Sequence, residues 1–180
     1  MRAEAVFAGG CFWCTEAVFK RLRGVLAVMP GYTGGKNERP TYAQVCGGAT
    51  GHAEAVRITY DPRAISYDDL LAVFFNTHDP TTLNRQGADV GTQYRSAIFY
   101  STEEEKRKAE TLIGELNAAK AYSDNVVTEV APLGAFYEAE EEHRDYYARN
   151  RGQSYCTLVI APKLEKLEKR FAALVAQNYG

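Results

Sequence analysis

The sequence predicts an α/β two-layer sandwich (α+β) in which helices cover a mixed sheet, because strand-like and helix-like stretches alternate along it. The early order of strand, helix, strand, strand, helix and strand is that of a ferredoxin-like split unit, so we expect a ferredoxin-like core. No linker, internal repeat or low-complexity stretch divides the 180 residues. We therefore expect a single domain over residues 1–180, long enough to bury roughly two thirds of the surface that its unfolded chain exposes.

Branched and aromatic residues, interrupted by glycine and proline, define the elements of the first half. These are a strand over 3–9, a helix from about Cys11 to Leu22, a strand over 25–32, a loop over 31–51 and a strand over 52–60. Gly9-Gly10 marks the turn from the first strand into the helix, and Asp61-Pro62 ends the third strand.

Capping residues define the helices of the second half. Ser66 with Asp69 forms the pattern of a capping box before a helix over 67–78. Thr102 with Glu105 starts a charged helix that runs to about Ala121. The remaining expected elements are strands over 94–100 and 125–133 and helices near 138–150 and 163–177. The loops over 31–51 and 79–93 are longer than a connection requires, so we expect them to carry function.

Composition and charge exclude several classes of protein. The formal net charge is −2, and lysine and arginine are spread along the chain, so we expect no nucleic-acid partner. No apolar run reaches the length of a membrane span, and the apolar stretch at the N-terminus is too short for a signal peptide. We expect a cytoplasmic protein whose four cysteines are free, catalytic or metal-bound.

The stretch "GGCFWCTEAVF" at 9–19 places Cys11 at the start of the first helix and Cys14 one helical turn later. Unpaired backbone N–H groups and the helix dipole favour a thiolate there, so we expect a lowered pKa for Cys11. Phe12 and Trp13 between the thiols form a hydrophobic wall suited to an apolar substrate group. The pattern indicates redox chemistry.

Three other interpretations of the two cysteines stay open at this point. They are a hydrophobic helix start with incidental thiols, half of a metal site, and a thioredoxin-like oxidoreductase. We expect no metal, because Cys46 and Cys156 are single and far apart, and the three histidines show no paired spacing. A zinc- or peptide-binding module is the rival that is not an enzyme.

Five stretches in order along residues 7–162 resemble the A-type peptide methionine sulfoxide reductase family. They are "GGCFW" at 9–13, "GYTGG" at 31–35, "PTYAQVCGGATGHAEAV" at 40–56, "QGADVGTQYRSAIFY" at 86–100 and "FYEAEEEHRDYY" at 136–147. The resemblance implies an α/β sandwich on a ferredoxin-like core. It also implies an enzyme that repairs oxidative damage by reducing methionine S-sulfoxide, free or in proteins.

The resemblance further implies a role for each matching residue. The implied roles are nucleophile for Cys11, methyl cage for Phe12 and Trp13, acid for Glu54, oxygen ligands for Tyr42 and Tyr94, and pocket residue for Asp89. We expect a monomer without a bound cofactor, whose disulfide thioredoxin resets with electrons ultimately from NADPH. No Gly-rich dinucleotide fingerprint follows a strand, which agrees with the absence of a bound nucleotide.

These residue types suit the chemistry of a sulfoxide. Attack of a thiolate on sulfur requires that the oxygen gain a proton, which a carboxylic acid in a partly apolar pocket supplies. Two phenols hold the oxygen as an oxyanion hole does, and aromatic rings contact the methyl group. Because oxygen and methyl are held on different sides, one epimer fits, and the resemblance implies the S epimer.

The oxidised Cys11 is a sulfenic acid that a second thiol condenses to a disulfide. Many family members carry glycine where this chain has Cys14 and place resolving thiols in a C-terminal tail, whereas no cysteine follows Cys156 here. Cys14 is our first choice for the resolving thiol, although the helical turn must unwind for the bond to form. Cys156 comes second, and we expect Cys46 to be a packed loop thiol.

Polar residues outside these motifs are interpreted as structural. Nothing in the sequence places His52 or His143 near Cys11, so we expect neither to act as a base. The acidic run Glu138–Glu142 is expected to be a solvated helix face, which the resemblance places near the site.

Overall fold

A mixed sheet of six strands runs through residues 1–177, the part of the chain that this computed structural model describes. In this part the strands are β1 (Ala3–Gly9), β2 (Val25–Thr33), β3 (Ala53–Tyr60), β4 (Arg85–Gln86), β5 (Asp89–Val90), β6 (Ser96–Tyr100), β7 (Glu129–Pro132) and β8 (Phe136–Glu138). The α-helices are α1 (Phe12–Lys20), α2 (Tyr42–Cys46), α3 (Tyr67–Thr77), α4 (Glu103–Ala118), α5 (Tyr146–Arg149) and α6 (Ala161–Arg170). Shorter turns are 3-10 at Thr92–Tyr94 and Glu141–His143, and π-helical at Cys156–Ile160.

The strand order of the large sheet is β7-β6-β1-β3-β2-β8, while β4 and β5 form a separate hairpin. Neighbours from β6 through β1 and β3 to β2 are antiparallel, β8 joins β2 antiparallel, and β7 joins β6 in parallel. The sheet is therefore mixed and partly covered by helices, which confirms the α+β prediction. Its register sets Tyr32 opposite Glu54, and both residues belong to the candidate site described below.

Successive side chains of a strand point to opposite faces of the sheet, so the sheet has one hydrophobic core on each face. Phe7 lies in the larger core, where its ring meets those of Phe19 in α1 and Phe74 in α3 at centroid distances of 5.7 and 4.9 Å. Its neighbours Val6 and Ala8 point to the opposite face, into a smaller core with alanines and Phe99. Long helices therefore cover one face of the sheet.

The helix starts read from capping residues are confirmed. The Ser66 hydroxyl accepts the Asp69 N–H at 3.0 Å, and the Asp69 carboxylate accepts the Ser66 N–H at 3.1 Å, ahead of α3. The Thr102 hydroxyl accepts the Glu105 N–H at 3.2 Å ahead of α4. Each cap satisfies N–H groups that have no partner inside the helix.

The two long loops hold short elements that the sequence did not predict. The first contains α2, which opens with a capping box between Thr41 and Gln44. The second contains the β4–β5 hairpin and the turn Thr92–Tyr94. The hairpin approaches the turn before α1 so closely that a Cβ on Gly10 would lie 2.6 Å from the Gln86 side chain.

Two helix predictions near the C-terminus hold only in part. A helix near 138–150 is replaced by β8, a 3-10 turn and the short α5, because Asp145 takes a left-handed φ of 54° that interrupts a helix. The helix near 163–177 starts earlier and ends at Arg170. Beyond it the chain turns back, and the Arg23 N–H donates to the Leu174 carbonyl at 2.7 Å. The segment after α6 therefore pairs with the residues that follow α1, and this pairing takes the place of the last predicted helical turns.

No helix within residues 1–177 combines the length and the apolar character needed to cross a membrane.

Replacing Leu70 with alanine tests the position of the core. Leu70 in α3 is 0% exposed, so Leu70→Ala is expected to lower the free energy of unfolding by about 2–5 kcal/mol. Leu83 in the second long loop is 72% exposed, and Leu83→Ala is expected to stay within about 0.5 kcal/mol of the wild type. Urea unfolding measures both variants, and equal losses would contradict the assigned core.

Candidate active site

Cys11 occupies the N-cap of α1, directly after β1 and the Gly9-Gly10 turn. Gly10 takes a φ of +95°, and its close approach to Gln86 leaves no room for a side chain. The Cys11 carbonyl accepts the Cys14 N–H at 3.1 Å, so the first turn of the helix starts from Cys11 itself. The predicted placement of the thiol at a helix start is confirmed.

Burial decides the proton affinity of Cys11. The residue is 7% exposed, and burial raises the pKa of its thiol, helped by a hydrogen bond with Cys14 and by the charge of Glu54. A hydrogen bond from the Trp13 N–H acts in the opposite direction but is outweighed. The expected lowering of the Cys11 pKa is therefore wrong for the resting protein, because loss of water costs more than the helix start supplies.

Cys14 contacts Cys11 one turn along the helix. The hydrogen bond between the two thiols lowers the pKa of Cys14, which is also buried. Its Sγ lies 3.5 Å from the Tyr155 hydroxyl. Because the two thiols share a hydrogen bond, the first proton lost from the pair leaves a thiolate that the other thiol stabilises.

Glu54 lies in β3 on the face that α1 covers, in line with Val56 and Ile58 of the core. Its Oε1 accepts the Phe12 N–H at 3.1 Å, while Oε2 is buried and has no hydrogen-bond partner among the described residues. The side chain is 1% exposed, and burial raises the pKa of the carboxyl to about 8. At neutral pH Glu54 is therefore an acid with a proton to give.

Tyr42 and Tyr94 come from the two long loops, at the start of α2 and at the end of the turn Thr92–Tyr94. Burial raises the pKa of both phenols, and the nearby charge of Glu54 is the second cause for each. Asp89 in β5 acts on Glu54 and Tyr94 in the same way. Both tyrosines therefore keep their O–H donors at neutral pH, beside the acid.

Phe12 and Trp13 differ in their surroundings. Phe12 is fully buried, with its ring stacked on Tyr42 at a centroid distance of 6.3 Å. Trp13 is half-buried and stacks on Tyr146 at 3.7 Å with 7° between the ring planes. The edge of Tyr155 closes another side of the indole at 5.8 Å. The aromatic wall beside Cys11 thus includes rings from the C-terminal part of the chain.

His143 lies in this wall, although nothing in the sequence indicated that it would be near the motif of Cys11. The Trp13 Nε1–H donates to His143 Nδ1 at 3.2 Å, and the imidazole lies 4.2 Å from the ring of Tyr42. His52, by contrast, accepts the Gly35 N–H and contacts the Asn37 carbonyl, which is the structural role expected of it.

Glu140 and Tyr32 were missed as parts of the site. The Tyr32 hydroxyl donates to Glu140 Oε1 at 2.9 Å, and the Tyr42 N–H donates to Oε2 at 3.0 Å. The acidic run is therefore not a solvated helix face at this position, because Glu140 anchors the start of α2. The sequence feature that could have indicated a role for Glu140 is the stretch "FYEAEEEHRDYY", in which acidic residues lie beside a histidine and aromatic residues.

The other two cysteines lie in different environments. Cys156 is 0% exposed at the start of the π-helical turn, and burial raises the pKa of its thiol. Cys46 is exposed at the end of α2, which corrects the prediction of a packed thiol, and it forms a hydrogen bond with the Tyr42 side chain. Neither has the direct contact with Cys11 that Cys14 has.

One group within residues 1–177 has the composition of a metal site. Ligand atoms of Glu140, Glu142 and His143 lie within 4.8 Å of one another. Because His143 Nδ1 accepts the indole N–H of Trp13, the neutral ring carries its proton on Nε2 and has no lone pair to offer there. The donor set is thus a poor fit for a metal ion.

Comparisons with known proteins identify the family of this chain. The family model for peptide methionine sulfoxide reductase matches residues 3–174. A peptide methionine sulfoxide reductase MsrA from Deinococcus radiodurans is 56% identical over 168 residues, covering 93% of this chain and 82% of the relative.

Solved structures give the same result. Mxr1 from Saccharomyces cerevisiae in reduced form matches with a TM-score of 0.81 at 32% identity, covering 86% of this chain and 89% of the yeast chain. A structure of Mxr1 in complex with Trx2 shares the fold, with a TM-score of 0.57 at 22% identity over 81% of this chain and 84% of that one. The resemblance read from the five sequence stretches is confirmed, and the chain belongs to the peptide methionine sulfoxide reductase family of oxidoreductases.

Proposed function

We propose that Cys11 reduces methionine S-sulfoxide, free or in proteins, as a nucleophile assisted by Glu54, and so repairs oxidative damage. The observation that carries the proposal is the buried Glu54 carboxyl, held by the Phe12 N–H with a pKa raised to about 8. A proton donor next to a thiol is what sulfoxide reduction requires, whereas thiol–disulfide exchange alone needs no such acid.

The first step transfers oxygen. Once the hydrogen-bonded pair of thiols has lost one proton, Cys11 attacks the sulfoxide sulfur as the thiolate and Cys14 keeps the remaining proton. A bond forms between the two sulfurs while Glu54 gives its proton to the oxygen. The hydroxyl then moves to the Cys11 sulfur as the S–S bond and the S–O bond at the methionine sulfur break, so Cys11 becomes a sulfenic acid and methionine leaves. Cys11 is oxidised by two electrons, the sulfoxide is reduced by two, and Glu54 is left as a carboxylate.

The substrate is positioned by phenols on one side and aromatic rings on the other. Tyr42 and Tyr94 retain their O–H groups because burial and the Glu54 charge raise their pKa values, so both donate to the sulfoxide oxygen. Trp13, which is half-buried and stacks on Tyr146, contacts the methyl group together with Phe12. Fixed places for oxygen and methyl select the S epimer, and Asp89 completes the pocket.

Cys14 resolves the sulfenic acid by forming a disulfide with Cys11. Its contact with the Cys11 thiol supports this assignment. Cys156 is the second candidate, since its place in a π-helical turn gives that segment a less regular backbone. Thioredoxin then reduces the disulfide with electrons ultimately from NADPH, as the family resemblance implies, and no bound cofactor takes part.

Three wider features complete the proposal. The order β6-β1-β3-β2, with α1 and α3 in the two crossovers, supports a ferredoxin-like core. We infer a single-domain monomer that works in the cytoplasm, where a reducing environment keeps thiols such as Cys11 and Cys14 available.

Substitutions of the acid and a phenol test the reduction step. Glu54→Gln is expected to slow single-turnover formation of methionine by about 10²–10⁴-fold because it removes the proton donor. Tyr42→Phe is expected to slow it by about 10²–10³-fold because it removes one O–H to the oxygen. Tyr67→Phe, which changes a buried hydroxyl without a hydrogen-bond partner, is the matched control. Near-normal turnover in the first two variants would instead favour a general thiol–disulfide oxidoreductase.

Protein stability reports whether Glu54 holds its proton at neutral pH. An unfolded glutamate has a pKa of about 4.3, and the folded pKa is about 8, so the native state binds one extra proton between these values. The resulting stabilisation is complete below the unfolded pKa and is lost as the pH rises through the folded pKa.

Urea unfolding between pH 5 and 8 is therefore expected to show a loss of roughly 1.4 kcal/mol per pH unit that Glu54→Gln removes. The exposed Glu110 provides the control Glu110→Gln, which is expected to keep the wild-type slope. If Glu54→Gln kept that slope as well, Glu54 would already be ionised at neutral pH, contrary to its role as the acid.

Disulfide mapping identifies the resolving thiol. After one turnover with methionine S-sulfoxide and no reductant, peptide mass spectrometry is expected to find a Cys11–Cys14 bond. Cys14→Ser is expected to retain a sulfenic acid on Cys11, whereas Cys156→Ser is expected to form the wild-type bond. A Cys11–Cys156 bond would move resolution to the C-terminal segment, and an unmodified Cys11 with no methionine would reject the nucleophile.

A further inference from the structure

Tyr155 joins the Cys14 thiol to a carboxylate. Its hydroxyl lies 3.5 Å from Cys14 Sγ and donates to Asp89 Oδ2 at 2.9 Å. The residue is half-buried where the C-terminal helical segment begins, and its ring packs edge-on against Trp13. Tyr155 is not among the residues to which the family resemblance gave a role, and the proposed reduction step does not use it.

The hydrogen bonds define a direction for proton movement. A phenol has one O–H proton, and Tyr155 donates it in the hydrogen bond to Asp89. The phenol oxygen therefore uses a lone pair to accept a hydrogen bond from the Cys14 S–H. The order is therefore Cys14 thiol, Tyr155 hydroxyl, Asp89 carboxylate. Asp89 is half-buried in the β4–β5 hairpin, at the end of the chain of groups.

We propose that Tyr155 is a catalytic residue of the resolving step, which relays the Cys14 proton to Asp89 as Cys14 attacks oxidised Cys11. This inference rests on the proposed function, in which Cys14 is the resolving thiol. The new S–S bond forms as the S–O bond of the Cys11 sulfenic acid breaks. The proton passes from Cys14 through Tyr155 to Asp89 and then to the departing oxygen, so that the products are a disulfide and one water.

Burial restricts the path by which the Cys14 proton can leave. Cys14 is 3% exposed, and its hydrogen bond with Cys11 lowers the pKa of its thiol, so the proton leaves readily but needs a neighbouring group such as the Tyr155 hydroxyl to take it. Burial and the charges of the two sulfurs raise the pKa of Tyr155, which disfavours a phenolate intermediate. Tyr155 must accept a proton from Cys14 as it gives its own to Asp89, and it stays neutral throughout.

Other charged groups near Cys14 do not offer the same path. The positive charge of Lys163 stabilises a Cys14 thiolate, but an ammonium group has no lone pair with which to take a proton. Glu54 acts on Cys14 through its charge, and no hydrogen bond joins the two side chains in the described part of the chain. The interaction of the Cys156 thiol with Cys14 is likewise electrostatic, since the charge of Cys14 raises the pKa of Cys156. Asp89 is therefore the acceptor that geometry favours.

Tyr155→Phe in the full-length enzyme tests the relay, because phenylalanine keeps the ring that packs on Trp13 and removes only the hydroxyl. The enzyme is mixed rapidly with methionine S-sulfoxide without reductant, and Cys11 sulfenic acid, disulfide and methionine are followed by quench and mass spectrometry. We expect the variant to accumulate the sulfenic acid and to form the Cys11–Cys14 bond about 10²-fold more slowly. Tyr67→Phe is the control and is expected to match the wild type.

A second measurement uses the unaltered enzyme. Two protons move together in the relay, so the wild-type disulfide step is expected to show a solvent deuterium isotope effect that varies quadratically with the deuterium fraction. A linear dependence, or a wild-type rate of disulfide formation in Tyr155→Phe, would overturn the relay while leaving Cys14 as the resolving thiol. A Cys11–Cys156 bond in the wild type would overturn both the relay and the resolving assignment, and so separates the two failures.

Discussion

The hydrogen bond from the Phe12 N–H to the Glu54 carboxyl organises the candidate active site of this protein. It ties the first turn of α1, which carries Cys11, to the middle strand β3 across 42 residues of sequence. Without it, the proposed nucleophile Cys11 and the proposed acid Glu54 would belong to independent elements whose separation could vary. The same contact satisfies an N–H that a helix start leaves unpaired, so folding and chemistry use one interaction.

Enclosure by later parts of the chain gives these groups their reactivity. Glu140 holds the start of α2 through the Tyr42 N–H, and His143 accepts the indole N–H of Trp13. The rings and backbone brought in this way exclude water from Glu54, which raises the pKa of its carboxyl to about 8. They also raise the pKa of the Cys11 thiol, so the environment that makes a good acid also disfavours a free thiolate.

Local patterns explain which features the sequence predicted. The Ser66 capping box and the helix start at Cys11 depend on residues within three or four positions, so they could be read directly. His143 meets Trp13 across 130 residues, and Tyr155 meets Cys14 across 141, and no local pattern encodes such contacts. The pKa of Cys11 was mispredicted for the same reason, since its burial comes from residues far away in the sequence.

The site divides into two parts that share Asp89. In the proposed mechanism Glu54, Tyr42 and Tyr94 surround the sulfoxide oxygen, while Tyr155 faces the thiol that loses a proton afterwards. In that mechanism reduction consumes a proton at Glu54, and resolution releases one at Cys14. The carboxylate of Asp89 acts through its charge on Glu54 and accepts the hydrogen bond of Tyr155. One carboxylate thus helps Glu54 keep its proton for the proposed reduction step and can receive a proton in the proposed resolving step, so both steps of the proposal depend on the same buried side of the site.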